Sequence, residues 1–265
     1  MNLLKQGCVI SIGVFDGVHG GHRRVLQMLR ETAKHRGLPA VVVTFDPHPR
    51  SALQPDRAPP MLVSVQRRLE LLESTGCVER TFLIPFDQLR REQSADDFVR
   101  DTLIEQLGMR ALVVGANFVC GKGRVGSVEY LTRLGKSEIF SVHPVPLHAA
   151  LGAQPASSTV IRRLILDGDL RRAAQLLGRH HELECKVGSG RELLLPMGMC
   201  VPHAGRYCVL LRCGQGAARQ ANVFITSERG LRRCFAPHAD FEPGTHVTVQ
   251  FVEELEMVRQ EEVLA

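Results

Sequence analysis

At 265 residues, 44% of them hydrophobic, the chain is long enough for one large or two modest domains with proper cores, which excludes a disordered polypeptide. Lys plus Arg number 33 against 28 for Asp plus Glu, and the net charge of +5 mildly favours anionic partners, for which phosphorylated metabolites suffice. The arginines are scattered, and two Tyr with no Trp leave little for base stacking, so no nucleic-acid partner is expected.

The first element is a short apolar strand carried by Val9, Ile10, Ile12 and Val14. It breaks at Gly13, Gly17, Gly20 and Gly21 into a turn whose backbone can approach a ligand closely. Val25, Leu26, Met28 and Leu29 follow at helical spacing, so a helix starts near His19 to His22 and runs to about Arg36. Its N-terminus offers unpaired N–H groups and a partial positive charge, which favour phosphate. Spacing of three sets His19 and His22 on one side of the first turn. No Gly-Lys-Ser/Thr follows the glycines, so the stretch is not a Walker loop, and the spaced glycines of a dinucleotide fold are missing too. Taken alone, its lesser alternative is a glycine-rich bend with two surface histidines.

Gly37-Leu38-Pro39 stops the helix before Ala40 to Phe45, a continuous β-branched run that fits a buried parallel strand. Asp46-Pro47-His48-Pro49 ends that strand, either as a stiff loop or as an acid and an imidazole at the carboxyl edge, where open α/β sheets bind ligands. Ser64 to Ser74 reads as a helix stopped by Gly76, Arg80 to Pro85 as a third strand, and Ser94 as the start of a helix reaching Leu107-Gly108. Ala111 to Gly115 is another buried strand, followed by Ala116 to Arg124. There Asn117 hydrogen-bonds without charge, while Lys122 and Arg124 either hold phosphate or form a basic surface turn. Glu138 to Val145 supplies a further strand and Ala149 to Ala156 a mobile connection. Ser157-Ser158-Thr159 opens a helix; capping accounts for one hydroxyl, whereas all three with Arg162 describe a second phosphate cradle. The alternation implies a doubly wound parallel sheet through about residue 180. Arg206 to Cys213, Ala221 to Thr226 and His246 to Val252 then follow without helices, as in a small antiparallel β-domain.

The eight cysteines form no Cys-x-x-Cys pair and no zinc-finger set with histidine, so reduced core residues are expected. With no signal-peptide core after Met1 and no apolar run long enough for a bilayer, the expectation is a cytoplasmic protein without a membrane partner. Its oligomeric state is not encoded in any of these patterns.

His19-Gly20-Gly21-His22 resembles the HxGH mark of the nucleotidylyltransferase superfamily. Read together, IGVFDGVHGGH, TFDPHP, VVGANFVCGKGRVG and SSTVIR resemble, in order, the motifs of bacterial FAD synthetases, the bifunctional riboflavin kinase/FMN adenylyltransferases. That resemblance covers about the first 180 residues. It implies an α/β, Rossmann-like adenylyltransferase domain over 1–180, taking ATP and FMN as substrates, and an antiparallel riboflavin kinase-like β-barrel over 181–265. By the same resemblance His19, His22, Asn117 and Arg162 are catalytic. Gly13, Phe15, Asp16 and Gly21 lie on the ATP side, with Ser157, Ser158 and Thr159 at its β- and γ-phosphates. Asp46, Pro47, His48, Asn117 and Phe118 are implied on the flavin side. Mg²⁺ is implied as a bridge between phosphate oxygens, with no protein ligand assigned. Asn117 sits where many relatives carry Asp and others Asn.

The barrel departs from its family. The stretch that supplies Thr and Asn to Mg-ATP in relatives is here Gly190 to Met199, with Met197 and Met199 at those two positions. A thioether is a poor Mg²⁺ ligand. Phe235 falls about where the catalytic base belongs, and the later pattern is reduced to Asp240-Phe241; a displaced acid such as Glu228 or Glu242 is left open. The expectation is a retained barrel without kinase activity. The alternatives are a fully bifunctional enzyme, a nucleotidylyltransferase with another acceptor, and a catalytically quiet flavin- or nucleotide-binding regulator.

Overall fold

A computed structural model describes residues 6–146, 156–228, 231–237 and 241–256. Residues 149–155 of the expected connection, Asp240 and the side chain of Glu228 lie outside what is described. Two compact units are formed, Met1–Pro59 with Val65–Pro155, and Pro60–Ser64 with Ala156–Ala265.

The first unit contains strands β1 (Cys8–Ile12), β2 (Ala40–Asp46), β3 (Arg80–Pro85) and β4 (Met109–Gly115), a two-residue hairpin β5 (Val119–Cys120) and β6 (Gly126–Ser127), and β7 (Ser141–Val145). All but the hairpin form one five-stranded parallel sheet in the order β3-β2-β1-β4-β7. Chain order runs outward in opposite directions from β1 and β4, which leaves a switch point at their carboxyl ends. Around the sheet run α1 (Gly20–Arg36), α2 (Pro49–Leu53), α3 (Val65–Ser74), α4 (Gln88–Glu92), α5 (Ala95–Asp97), which continues as a π-helix over Phe98–Gln106, and α6 (Val128–Ser137).

The sequence explains these elements locally. β1 is buried throughout and β2 up to its final Asp46, as expected of strands covered on both faces. α1 buries Val25, Leu26, Leu29 and Ala33 along one stripe, carries Lys34, His35 and Arg36 in its last turn, and ends on Gly37, whose N–H returns to Ala33 O and Lys34 O. Each fully buried Leu or Val of this kind stabilises the fold by about 1.5–3 kcal/mol. Two readings are corrected here. β1 ends at Ile12, with Val14 already in the turn, and Glu138 is the C-cap of the unforeseen helix α6 and not the start of a strand.

The second unit is a closed antiparallel barrel carrying two helices, α7 (Ser158–Leu166) and α8 (Leu170–Leu177). Its strands are β8 (His181–Val187), β9 (Glu192–Leu194), β10 (Gly205–Cys213), β11 (Arg219–Glu228), β12 (Leu231–Phe235) and β13 (His246–Glu256), in the order β10-β11-β12-β9-β8-β13. Closure removes the exposed sheet edge. Alternate residues point inward, among them Leu183, Cys185, Tyr207, Val209, Val223, Ile225, Val249 and Phe251. Ile161, Ile165, Leu170, Ala173 and Leu177 share this core, so the two helices that the sequence continues from the doubly wound layer pack with the barrel. The Pro60–Ser64 segment belongs here as well. Met61 N–H donates to Gly198 O at 2.8 Å, and Cys200 N–H to Met61 O at 2.7 Å. All three barrel strands read from the sequence are present; β8, β9 and β12 were not read. The eight cysteines are free thiols. No described helix is long and apolar enough to cross a membrane.

Candidate active site

The turn after β1 has a constrained backbone. Phe15 and Val18 both adopt positive φ, 53° and 41°, in a region that bulky side chains avoid. A Cβ on Gly13 would meet the Phe15 ring at 3.2 Å, a tight contact that would push the ring by a few tenths of an ångström. Asp16, 2% exposed, and His19 are buried despite their polarity. His19 caps α1: its Nδ1 accepts the His22 backbone N–H at 3.4 Å, which leaves Nε2 as the donor of the neutral ring. The imidazoles of His19 and His22 stack with centroids 3.7 Å apart, and Phe15 meets His22 edge-on at 5.2 Å. Both rings are thereby fixed beside the N–H groups of the first turn of α1, where an anion is favoured.

A cavity of about 380 Å³ opens at the same carboxyl edge of the sheet. Ile12 at the end of β1 and Phe45 on β2 join Phe86, Phe98 and Phe118 in its wall. Phe45 packs edge-on to Phe86 at 5.7 Å. Arg90 lies over the Phe98 ring at 5.4 Å and donates to Thr102 Oγ1 and Gln93 Oε1, while Arg50 and Arg124 bring positive charge to the rim. The loop after β4 closes one side. Gly121 has φ 74°, and a Cβ there would stand 2.5 Å from the Ala95 backbone N, so this position admits only glycine. Cys120 lines the cavity as a neutral thiol, pushed up to about 12 by burial. An apolar slot rimmed by cations suits a planar aromatic ligand that carries an anionic group.

Of the residues read as flavin-binding, His48 and Phe118 line this cavity. His48 Nδ1 accepts from Arg50 N at 3.0 Å and so caps α2. Asp46 and Pro47, joined by a cis peptide, and Asn117 are exposed at the neighbouring strand ends and are not part of the wall. Lys122, one of the two cations read as phosphate-holding or superficial, pairs with Glu92 at 2.6 Å. Among the described residues, no three His, Cys, Asp or Glu side chains gather as a metal site.

Ser157, Ser158, Thr159 and Arg162 fall in the second unit. Ser157 Oγ accepts from Val160 N at 3.3 Å as the cap of α7, and Arg162, buried, donates from Nε to Pro60 O at 2.7 Å. In the barrel, Met197 is 99% exposed, Phe235 lies beneath the Arg233 guanidinium, and Glu192 is bound by the same arginine at 2.8 Å.

Residues 2–160 match the family model described as FAD synthetase. The chain belongs to the FAD synthetase family. Proteins named bifunctional riboflavin kinase/FMN adenylyltransferase are similar to it in Escherichia coli K12, 34% identical over 189 residues, and in Pseudomonas fluorescens, 36% identical over 193 residues. These alignments cover 71% and 73% of this chain but only 60% and 61% of the relatives, so the chain spans less than two thirds of their length. A crystal structure described as a macrolide-efflux protein from Streptococcus pneumoniae superposes with a TM-score of 0.83 at 23% identity, covering 97% of this chain and 89% of that one. That likeness concerns the fold alone.

Family motifs located the histidine turn but not the side chains that shape the site around it. Phe45, Phe86, Arg90, Gln93 and Phe98 in the cavity wall had not been singled out, nor had Arg68, a buried arginine on α3. One signal for Arg68 was present: it shares a helical stripe with Leu71 and Leu72, positions three and four further on.

Proposed function

We propose that this protein transfers AMP from ATP to FMN, giving FAD and pyrophosphate, and that its barrel does not phosphorylate riboflavin. The observation that carries this reading is the continuity of the two ligand features: Ile12 closes the aromatic cavity, and the next residue begins the turn that holds His19 and His22.

A phosphate oxygen of FMN attacks the α-phosphorus of ATP in line. The new P–O bond forms as the bond to the bridging oxygen breaks, and pyrophosphate leaves with the electron pair. The nucleophile is already an anion, so no general base is required, and catalysis consists of positioning and charge neutralisation. His19, His22 and the N-terminus of α1 hold the ATP phosphates, while Gly13, Phe15, Asp16 and Gly21 shape the nucleotide side. His48 and Phe118, flanked by Asp46 and Pro47, receive the flavin, and Asn117 orients its phosphate or ribityl chain. Ser157, Ser158, Thr159 and Arg162 are assigned to the β- and γ-phosphates by their motif. Mg²⁺ enters on ATP as part of the substrate. The functional boundary is drawn at residue 180, with 181–265 as the kinase-like barrel, and the setting is the cytoplasm.

The kinase part of the reading is supported by Met197 and Met199 standing where oxygen ligands serve in the family. Purified protein given FMN and Mg-ATP is expected to release FAD and pyrophosphate in equal amounts. Binding of both ligands without FAD formation overturns the transferase reading. The same protein given riboflavin and Mg-ATP is expected to make no FMN; FMN release would make it bifunctional.

A further inference from the structure

Among the described residues, Arg68 is the one charged side chain of those both largest and fully buried, 1% exposed, and it has no part in the chemistry described above. A guanidinium removed from water is costly unless its partners are well placed. Here those partners are concentrated. Nη1 donates to Val14 O at 3.1 Å and Nη2 to Phe45 O at 2.8 Å. Val14 is the residue before the positive-φ Phe15, and Phe45 is a wall of the cavity. Thr44 Oγ1 adds a second donor to Val14 O at 3.1 Å. The two carboxylates that stabilise the charge of Arg68 are Asp16, inside the histidine turn, and Asp46, at the start of the acceptor loop. They oppose a burial that otherwise lowers its pKa. Nε meets no hydrogen-bond acceptor among the described residues.

We propose that Arg68 is a positioning residue for adenylyl transfer, locking the carboxyl ends of β1 and β2 so that the nucleotide turn and the acceptor cavity keep one fixed spacing. A clamp that served only the sheet could grip it anywhere along the strands. Arg68 grips Val14, the residue just before the strained Phe15, and Phe45, a wall of the cavity. In-line attack is sensitive to the separation of the reacting atoms, and an error of about 1 Å costs on the order of a hundredfold in rate.

The inference rests on the FMN adenylyltransferase reading, and wild-type protein is therefore assayed beside each variant. Arg68→Met keeps an apolar stem while removing the guanidinium. With its thermal transition above the assay temperature, this variant is expected to lose about tenfold or more in kcat, with KM for ATP and FMN within about threefold of wild type. A folded Arg68→Met protein with wild-type kcat, or one that loses only KM, overturns the inference while leaving the reaction intact. A wild type that makes no FAD removes both. Should Arg68→Met fail to fold, Arg68→Lys decides by its pH profile. A buried ammonium loses its proton more readily than a guanidinium, so kcat is expected to fall on an alkaline limb that the wild type lacks. Superimposable kcat profiles for Arg68→Lys and wild type overturn the proposal.

Discussion

In the first unit, the turn between β1 and α1 draws polar side chains inward: Asp16 and His19 are buried, His22 stacks on His19, and Val18 holds a positive φ. The stretch between β9 and β10 in the second unit does the opposite. Met197 is wholly exposed, and Met199 is flanked by the backbone hydrogen bonds that Met61 makes to Gly198 and Cys200. Yet the barrel core is complete, from Leu183 through Val223 to Phe251. The difference lies in which residues each architecture needs. A closed barrel is specified by its inward alternate positions, so the residues of an exposed loop can change while the strands still close. In the first unit Asp16 and His19 are themselves packed into the fold, so changing either disturbs the turn that holds it.

The contrast is tested most severely at His22. His22→Ala is expected to lower kcat for FAD formation by about a hundredfold or more, measured as product release, with the barrel unaffected. Acid acts on the other side of the comparison. His181, fully buried with Nε2 at 2.7 Å from Cys200 O, has its pKa lowered by burial from 6.5 to about 4. As pH falls below 6.5 the unfolded chain takes up a proton that the folded barrel refuses. Stability present above that pH is therefore lost down to about pH 4, by at most about 1.4 kcal/mol per pH unit. Denaturant midpoints measured across that range should show the slope, and His181→Gln should flatten it. Gly121→Ala forces a Cβ against Ala95 and is expected to cost about 1–3 kcal/mol in melting experiments, raising KM for FMN more than for ATP. The smallest effect belongs to the barrel loop: Met197→Thr should change stability by less than about 0.5 kcal/mol and leave riboflavin unphosphorylated.

How much of this was legible depended on whether the signal was local. The run Ala40 to Phe45 and the glycine turn before α1 declare themselves within a few residues. α6 did not, because Gly135 interrupts its pattern. That glycine is required by packing, since a Cβ there would stand 2.5 Å from Phe140 O. β12 was hidden by Arg232 and Arg233, which break an apolar alternation, whereas β8 carries the period-two alternation Glu182 to Val187 and was legible but not read. The aromatic cavity is the clearest case. Phe45 lies near the end of β2, Phe86 follows β3, Phe98 opens the π-helix and Phe118 follows β4, and only the folded order of the sheet brings these four together. Side-chain types and spacings gave the histidine pair; the aromatic cavity existed only once the sheet had an order.

The hydrogen bonds of Met61 carry a consequence for how the chain can be cut. Because Pro60–Ser64 is counted with the second unit while residues on both sides of it build the first, the two units are threaded through one another along the sequence. No single cleavage releases the barrel whole. A fragment beginning at residue 156 leaves Gly198 O and Cys200 N–H without Met61, Glu184 without the Ser64 hydroxyl, and Arg162 without Pro60 O. During synthesis, Met61 emerges long before Gly198 and Cys200, so this connection is made only after residue 200 has followed.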